Sequence, residues 1–356
     1  MRISACLLVI VSACSVQTID PESRTPTPPR VSQTDDDPAQ AESDGVAKAD
    51  FDGVIPDAPV GTGNLSVTVL PASTGKDVAL AAIRSATATL DAGLYLVTEY
   101  TIVQAFIAAK ERGVAVRIVI DDSDNTRSGN KNALAKWAAA GIDVVKATGF
   151  SYHHAKYLVV DGKSALVMTC NFTVSSFASN REVVVSVSDA ELVADLSTIF
   201  AADFIHESPE ISATTRLVIS PINAREKLNG LIGNAKQRVF FAMQSVDDND
   251  TVALLIARHD AGVDVRVMMA DPTVYDQSGD ADVLKAHGID VRYLPETILY
   301  LHEKVIVADD DAFVGSVNIT YTSIEKNREI GVIGDASFTS LVLPQVQADW
   351  DMAVSF

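Results

Sequence analysis

The chain has 356 residues, 47% of them hydrophobic, and a formal net charge of −19 at neutral pH. That is enough apolar material for two ordinary domains or one large duplicated domain. It is too acidic for a protein that grips a nucleic-acid duplex through non-specific counterion release. Three cysteines exclude a disulfide framework, and no stretch of the sequence reaches the roughly 18 apolar residues that cross a bilayer.

At the N-terminus, Met1-Arg2 precedes the apolar run Ile3–Val11 and the small-residue ending Val11-Ser12-Ala13-Cys14, the order of an export signal. That ending resembles the bacterial lipoprotein cleavage box, in which the cysteine is acylated and becomes the new N-terminus. The resemblance implies a signal peptide over residues 1–14 and a lipid anchor at Cys14. It also implies an exported protein working at a membrane surface of the cell envelope, with that membrane as a partner. Residues 15–53 contain Thr25-Pro26-Thr27-Pro28-Pro29 and Asp35-Asp36-Asp37, with nine acids against three bases. Such a stretch cannot bury enough apolar surface to offset chain entropy, and a disordered acidic tether is expected. With Arg2 counted, residues 54–356 keep a charge of −14.

From Asn64 onward the pattern changes. Apolar periodicity predicts helices over Asp77–Ala88, Ile102–Arg112, Asn132–Ala140 and Ala190–Phe204. Strands are expected at Gly93–Val97, Val114–Ile120, Ile142–Val145, His154–Asp161, Ala165–Val167 and Glu182–Val187. This alternation predicts an α/β sheet flanked by helices.

After a linker near Ser208–Thr215 the sequence repeats. Gly113-Val114-Ala115-Val116-Arg117 returns as Gly262-Val263-Asp264-Val265-Arg266, Gly141-Ile142-Asp143-Val144 as Gly288-Ile289-Asp290-Val291, and Asn180-Arg181-Glu182 as Asn327-Arg328-Glu329. An offset that stays near 148 across the whole stretch marks a duplication, with halves at 54–207 and 208–356. Two such halves bury matching faces most simply about a twofold axis, which brings equivalent clusters into one cleft.

Each half carries a polar cluster: His154-Ala155-Lys156 with Asp161, and His302-Glu303-Lys304 with Asp309. On a strand, residues two apart share a face, so each histidine and lysine can meet one anion together. Thr169-Cys170-Asn171 follows the first copy, and Gly315-Ser316-Val317-Asn318 the second. The doubled His-x-Lys-x4-Asp spacing, with the Gly-Ser-x-Asn turn and the repeated Asn-x-Glu, resembles the phospholipase D superfamily. The resemblance implies a duplicated phospholipase D-like α/β fold, in which two pseudo-twofold mixed sheets flanked by helices enclose the site. It further implies a phosphodiesterase that cleaves or transfers phospholipid headgroups through a phosphohistidine, with no cofactor or metal. His154 is then the nucleophile and His302 the general acid and base, with the reverse assignment open. Lys156, Lys304, Asn171, Asn318, Thr169 and Ser316 would hold the phosphoryl oxygens. Glu182 and Glu329 would orient the rings, and Asp161 and Asp309 would form turns. The first copy departs from the family at Met168-Thr169, where Gly-Ser is expected, and it has one extra residue before that turn. Two other readings stay open: a secreted nuclease of the same superfamily, and a binding module that has lost activity. The acidic charge makes nucleic acid an unlikely partner, and a monomer is expected.

The remaining candidates carry less. His153 should point away from His154 and pack in the core or at the surface. His206, His259 and His287 read as surface residues, and Asp121, Asp122 and Asp271 as loop acids. Tyr95 and Gln244 occupy matching positions near strand ends and are candidates to line the cleft. Cys170 is expected to be a buried, inert thiol.

Overall fold

The protein is described by a computed structural model over residues 64–72, 75–275 and 278–356. The expected signal peptide, Cys14 and the 15–53 tether lie outside the described residues. Among the described residues no helix is long and apolar enough to cross a membrane.

In chain order the first half runs β1 (Leu65–Leu70), α1 (Gly75–Ser85), β2 (Thr89–Leu94), α2 (Tyr100–Glu111), β3 (Ala115–Ile120), α3 (Arg127–Ala139), β4 (Asp143–Lys146), β5 (Tyr157–Val160), β6 (Ser164–Met168), α4 (Val174–Ala178), β7 (Asn180–Val187) and α5 (Ala190–Phe204). The second half repeats this as β8 (Leu217–Ser220), α6 (Ala224–Gly233), β9 (Arg238–Met243), α7 (Asn249–Asp260), β10 (Asp264–Ala270), α8 (Ser278–Ala286), β11 (Asp290–Leu294), β12 (Tyr300–Leu301), β13 (Lys304–Ala308), β14 (Asp311–Gly315), α9 (Tyr321–Glu325), β15 (Glu329–Gly334), α10 (Ala336–Met352) and β16 (Val354–Ser355). The first sheet is ordered β1-β7-β6-β5-β2-β3-β4, with β12 added beside β7. The second is ordered β16-β11-β10-β9-β13-β14-β15-β8. Both are mixed: β2-β3-β4 and β9-β10-β11 are parallel, whereas β5-β6-β7 and β13-β14-β15 are antiparallel.

The central strands are buried on both faces, which is why Tyr157-Leu158-Val159-Val160 and Val305-Ile306-Val307-Ala308 are continuous apolar runs rather than alternating ones. Alternate residues of these strands, with Leu196, Ile199 and Phe200 of α5 and Val342, Val346 and Trp350 of α10, form one core shared by the two halves. Their opposite faces close a separate core in each half.

Three element starts differ from expectation by three residues or more. The second strand is Thr89–Leu94, because Asp91, which interrupts the apolar pattern, is buried by a two-pronged pair with Arg117 at 2.7 and 2.8 Å. The third helix begins five residues early, at Arg127. The strand after His154 begins only at Tyr157, so both histidines and Lys156 sit on the segments entering the sheet and Lys304 opens its strand.

The irregularities of the first copy lie where they do little to the site. Its extra residue enlarges the hairpin from the two-residue loop Asp309-Asp310 to the three-residue loop Asp161-Gly162-Lys163, at the far end of the strands from His154. Its missing glycine is offset by packing. Gly315 faces Gly331 across the sheet, and a Cβ on Gly315 would lie 2.4 Å from the Gly331 Cα, with the Phe313 ring over both. The equivalent pair is Met168 and Val184, with the smaller Leu166 in place of the phenylalanine. The first half thus fills with two larger side chains the space that the second half closes with one phenylalanine folded over two glycines.

Candidate active site

The site is assembled by crossing the halves. Tyr300-Leu301 runs beside Asn180-Arg181, and His153 bridges Arg328 in the same parallel sense. The His302 amide donates to the Arg181 carbonyl at 3.1 Å, and the Arg328 amide to the Tyr152 carbonyl at 2.9 Å. This exchange sets each half's glutamate against the other half's histidine. His154 Nδ1 lies 2.8 Å from Glu329 Oε2, and His302 Nδ1 lies 2.6 Å from Glu182 Oε1. Each carboxylate therefore fixes a ring across the pseudo-twofold axis and leaves Nε2 as the reactive nitrogen.

Buried ion pairs hold the crossing from behind. Arg181 joins Asp349 of α10 at 2.8 Å and donates to the Leu70 carbonyl. Arg328 joins Asp203 of α5 at 2.8 Å and donates to the Ser220 carbonyl. The arginine next to each ring-orienting glutamate is thus fastened to the terminal helix of the opposite half.

The two lysines are wholly buried, and each donates to the carbonyl of its own histidine: Lys156 to His154 at 2.5 Å and Lys304 to His302 at 2.6 Å. Their other neighbours differ. Gln244 accepts from Lys304 at 2.9 Å, whereas Tyr95 offers its ring face to Lys156 at 4.9 Å and packs edge-on against His154 at 4.6 Å. The matching Tyr95 and Gln244 do line the site. Burial, with Lys156 and Lys304 nearby, lowers His154 to about 4 against the pull of Glu329, so its ring is neutral at pH 7. Burial and Lys304 also lower Lys156 to about 7 against Glu329. Lys304 acts on both His154 and Lys156, so basic groups of the two halves face one another.

Asn171 and Asn318 reach the site, and their amide oxygens are buried without a protein partner. Thr169 and Ser316, expected to bind substrate, are turned away from it. Thr169 Oγ1 donates to Glu182 at 2.5 Å and accepts from the Val183 amide, while Ser316 exchanges bonds with the Ile330 backbone. They brace the glutamate strands, because these short hydroxyls lie inside the sheet, where the nearest acceptors are the neighbouring strand. Ser323 and Asn327 add bonds to Glu329 at 3.0 Å each.

Asp161 and Asp309 are turn residues with positive φ (53° and 51°). Asp161 accepts from the amides of Thr87, Ala88 and Thr89, and Asp309 from those of Lys236, Gln237 and Arg238. Desolvation opposes ionisation, but these bonds win and hold both carboxyls below the ordinary range. They anchor the hairpin to the start of β2 or β9, far from the chemistry.

Several contributors were not legible from the sequence. Asp121, read as a loop acid, accepts from the His153 amide at 2.7 Å and so fixes the segment carrying His154. Asn130, fully buried on α3, bonds the backbone of Tyr95 and Val97. Cys170 is buried, and burial raises its thiol well above the usual range, as expected of an inert group.

Glu303 lies between His302 and Lys304, where the first half has Ala155. It is fully buried and neither oxygen has a hydrogen-bond partner. Burial, then Asp349, raises it well above the carboxylate range despite Arg181. The acid is ionised in the unfolded chain above its ordinary range, so folding must take up a proton, and this cost grows as pH rises towards the folded value. Glu303→Gln is therefore expected to stabilise the protein by about 1–3 kcal/mol at pH 8 and by far less at pH 4. Thermal unfolding at both pH values checks it; a loss of stability at pH 8 would contradict it.

Residues 79–204 and 228–350 match the family model described as "Cardiolipin synthase, PLD-like domain". A mitochondrial cardiolipin hydrolase of Chlamydomonas reinhardtii is 30% identical over 116 residues, 33% of this chain and 51% of that one. The probable cardiolipin synthase YwiE of Bacillus subtilis is 34% identical over 125 residues, 33% of this chain and 24% of that protein. A phospholipase D of Rickettsia prowazekii is 35% identical over 98 residues, 28% of this chain and 47% of that one. The chain thus spans about half, or less, of the length of these relatives. A phosphatidylserine synthase structure from Haemophilus influenzae shares the fold, with a TM-score of 0.64 at 11% identity, covering 82% of this chain and 87% of that one. The doubled motif, the crossed histidine–glutamate pairs and a match over both halves lead to one conclusion: the chain belongs to the phospholipase D superfamily.

Proposed function

We propose that the protein is a phosphodiesterase or phosphatidyltransferase acting on phospholipid headgroups. The observation that carries this is the pair of crossed His–Glu contacts around two buried lysines. Neutral His154, with Nδ1–H held by Glu329, presents its Nε2 lone pair to phosphorus. As the N–P bond forms, the P–O bond to the headgroup breaks, and His302 gives its proton to the departing alkoxide. His302 then takes a proton from water or an alcohol, whose oxygen attacks phosphorus and breaks the N–P bond. Lys156, Lys304, Asn171 and Asn318 stabilise charge on the non-bridging oxygens. The cardiolipin- and phospholipid-acting relatives support a lipid substrate, as does the charge of −14 on residues 54–356, which disfavours nucleic acid. Export and an N-terminal lipid anchor at Cys14 complete the reading.

The test measures release of headgroup, of a chromogenic diester product and of nucleotides, each with and without EDTA. Nucleotide release without lipid turnover would replace this reading with the nuclease. Folded protein inert on every diester would replace it with the binding module. Loss of all activity in EDTA would overturn the metal-free scheme. Mass spectrometry of the mature N-terminus tests the anchor, and an unmodified start away from Cys14 removes it.

Lys156 also makes binding pH-dependent. Below pH 7 the free site already carries its ammonium, and a bound anion keeps it protonated at higher pH. Affinity for diethyl phosphate, a monoanion throughout, is therefore expected to be flat below pH 7. Above pH 7 it should fall by up to about tenfold per pH unit as binding must take up a proton. Calorimetry in buffers of different ionisation heat reads both affinity and proton uptake, and a flat profile to pH 8.5 would contradict it.

A further inference from the structure

The catalytic rings are recessed, with side-chain exposures of 13% for His154 and 5% for His302. A phosphate held in a bilayer reaches them only if the mouth of the site enters the headgroup layer. Three residues after each site asparagine, an apolar side chain projects into solvent: Val174 opens α4 and Tyr321 opens α9. Tyr100 opens α2, and Glu99 just before it donates its amide to the Phe172 carbonyl, next to Asn171. Ile298 precedes Tyr300, whose ring stacks on His302. These four are 50–59% exposed. Two of the rings carry an ammonium over them, Lys136 on Tyr100 at 5.3 Å and Lys326 on Tyr321 at 5.7 Å.

On the reading that the substrate is a phospholipid, we propose that Tyr100, Val174, Ile298 and Tyr321 form an insertion rim that docks the mouth of the site onto a lipid bilayer. Tyrosine suits this place because its ring is apolar and its hydroxyl tolerates water, and a stacked lysine can reach the lipid phosphates while its stem stays with the ring. Solvent-exposed aliphatic and aromatic side chains around a polar, recessed centre otherwise cost free energy in water. Because the body is acidic, the rim must bind through buried apolar area rather than through attraction to anionic lipid. Docking is therefore expected to survive high salt.

The test uses the full chain carrying Cys14→Ser, so that acylation does not contribute, with phosphatidylcholine–phosphatidylglycerol vesicles. The triple variant Val174→Ser, Ile298→Ser, Tyr321→Ser is expected to lose about tenfold or more in vesicle partitioning at both low and high salt. It should also lose vesicle headgroup release while cleaving a soluble chromogenic diester at the parent rate. Unchanged partitioning overturns the proposal, as does an equal loss on the soluble diester. Rim-dependent dimerisation in sedimentation also overturns it, since the face would then belong to a second copy. Rim-dependent partitioning without any headgroup release leaves the docking surface standing and removes the phospholipid reading instead.

Discussion

His154→Ala is expected to lower diester turnover by at least about 10⁴-fold and to leave no phosphorylated protein on rapid acid quench. His302→Ala should lower steady-state turnover by a comparable factor for a different reason. His154 Nε2 is still present, held by Glu329 at 2.8 Å, so a substrate with a good leaving group can still phosphorylate it. The intermediate should then accumulate, because the base that activates water is missing. With p-nitrophenyl diesters the His302 variant should give a burst near one equivalent, and the His154 variant none. A burst in the His154 variant and none in the His302 variant would reverse the two roles. The stated order is the proposed one, and burial keeps the His154 ring in the neutral form that attack needs.

The duplication, the two His-x-Lys motifs and both asparagines were legible because repeated residues at a fixed offset report one shared geometry. The crossing of the halves was not. Which histidine Glu182 orients depends on Tyr300-Leu301 lying beside Asn180-Arg181, and a pairing between segments more than a hundred residues apart leaves no local pattern. The roles of Thr169 and Ser316 were hidden for the same reason: their acceptors lie on the neighbouring strand. The strand misplaced at Gly93–Val97 shows the limit of reading apolar runs, since Asp91 is acceptable in a core only because Arg117 of β3 covers it. A signal for the buried clamps was present and simple to overlook. Arg181 and Arg328 sit inside the repeated Asn-Arg-Glu, and Asp203 and Asp349 fall at nearly the same offset as the rest of the duplication.

The pseudo-symmetry of the site is incomplete in a chemically directed way. The His154 side has the ring of Tyr95 where the His302 side has the amide of Gln244, which accepts from Lys304. The aromatic wall helps bury His154, which favours its neutral form, while its face receives the Lys156 ammonium. An amide acceptor anchors the Lys304 ammonium. Two copies of one motif thus hold their histidine–lysine pairs in different surroundings.

Breaking one clamp should have the largest effect on stability. Arg328 and Asp203 are almost fully buried, and the pair joins the strand bearing Glu329 to a helix of the other half. Arg328→Met leaves the Asp203 carboxylate in the core beside the His153 ring nitrogen, 3.8 Å away, with no cation among the described residues hydrogen-bonded to it. Truncating one partner of a buried pair costs about 3–5 kcal/mol, mostly as the penalty of the stranded charge. For a chain of this size that corresponds to a fall in Tm of roughly 10 °C. Adding Asp203→Leu removes the stranded charge and should recover most of the loss, so the double variant is more stable than the single. Activity should not recover with it. Without the Arg328 contacts to Asp203 and the Ser220 carbonyl, the segment from Asn327 to Glu329 loses its anchor, and the glutamate that orients His154 is held less tightly. The double variant is therefore expected to melt near the parent temperature while turning over diesters about tenfold or more slowly, a loss in kcat larger than any change in KM. Full recovery of both properties would show that the pair only fills space; recovery of neither would place its cost in packing rather than charge.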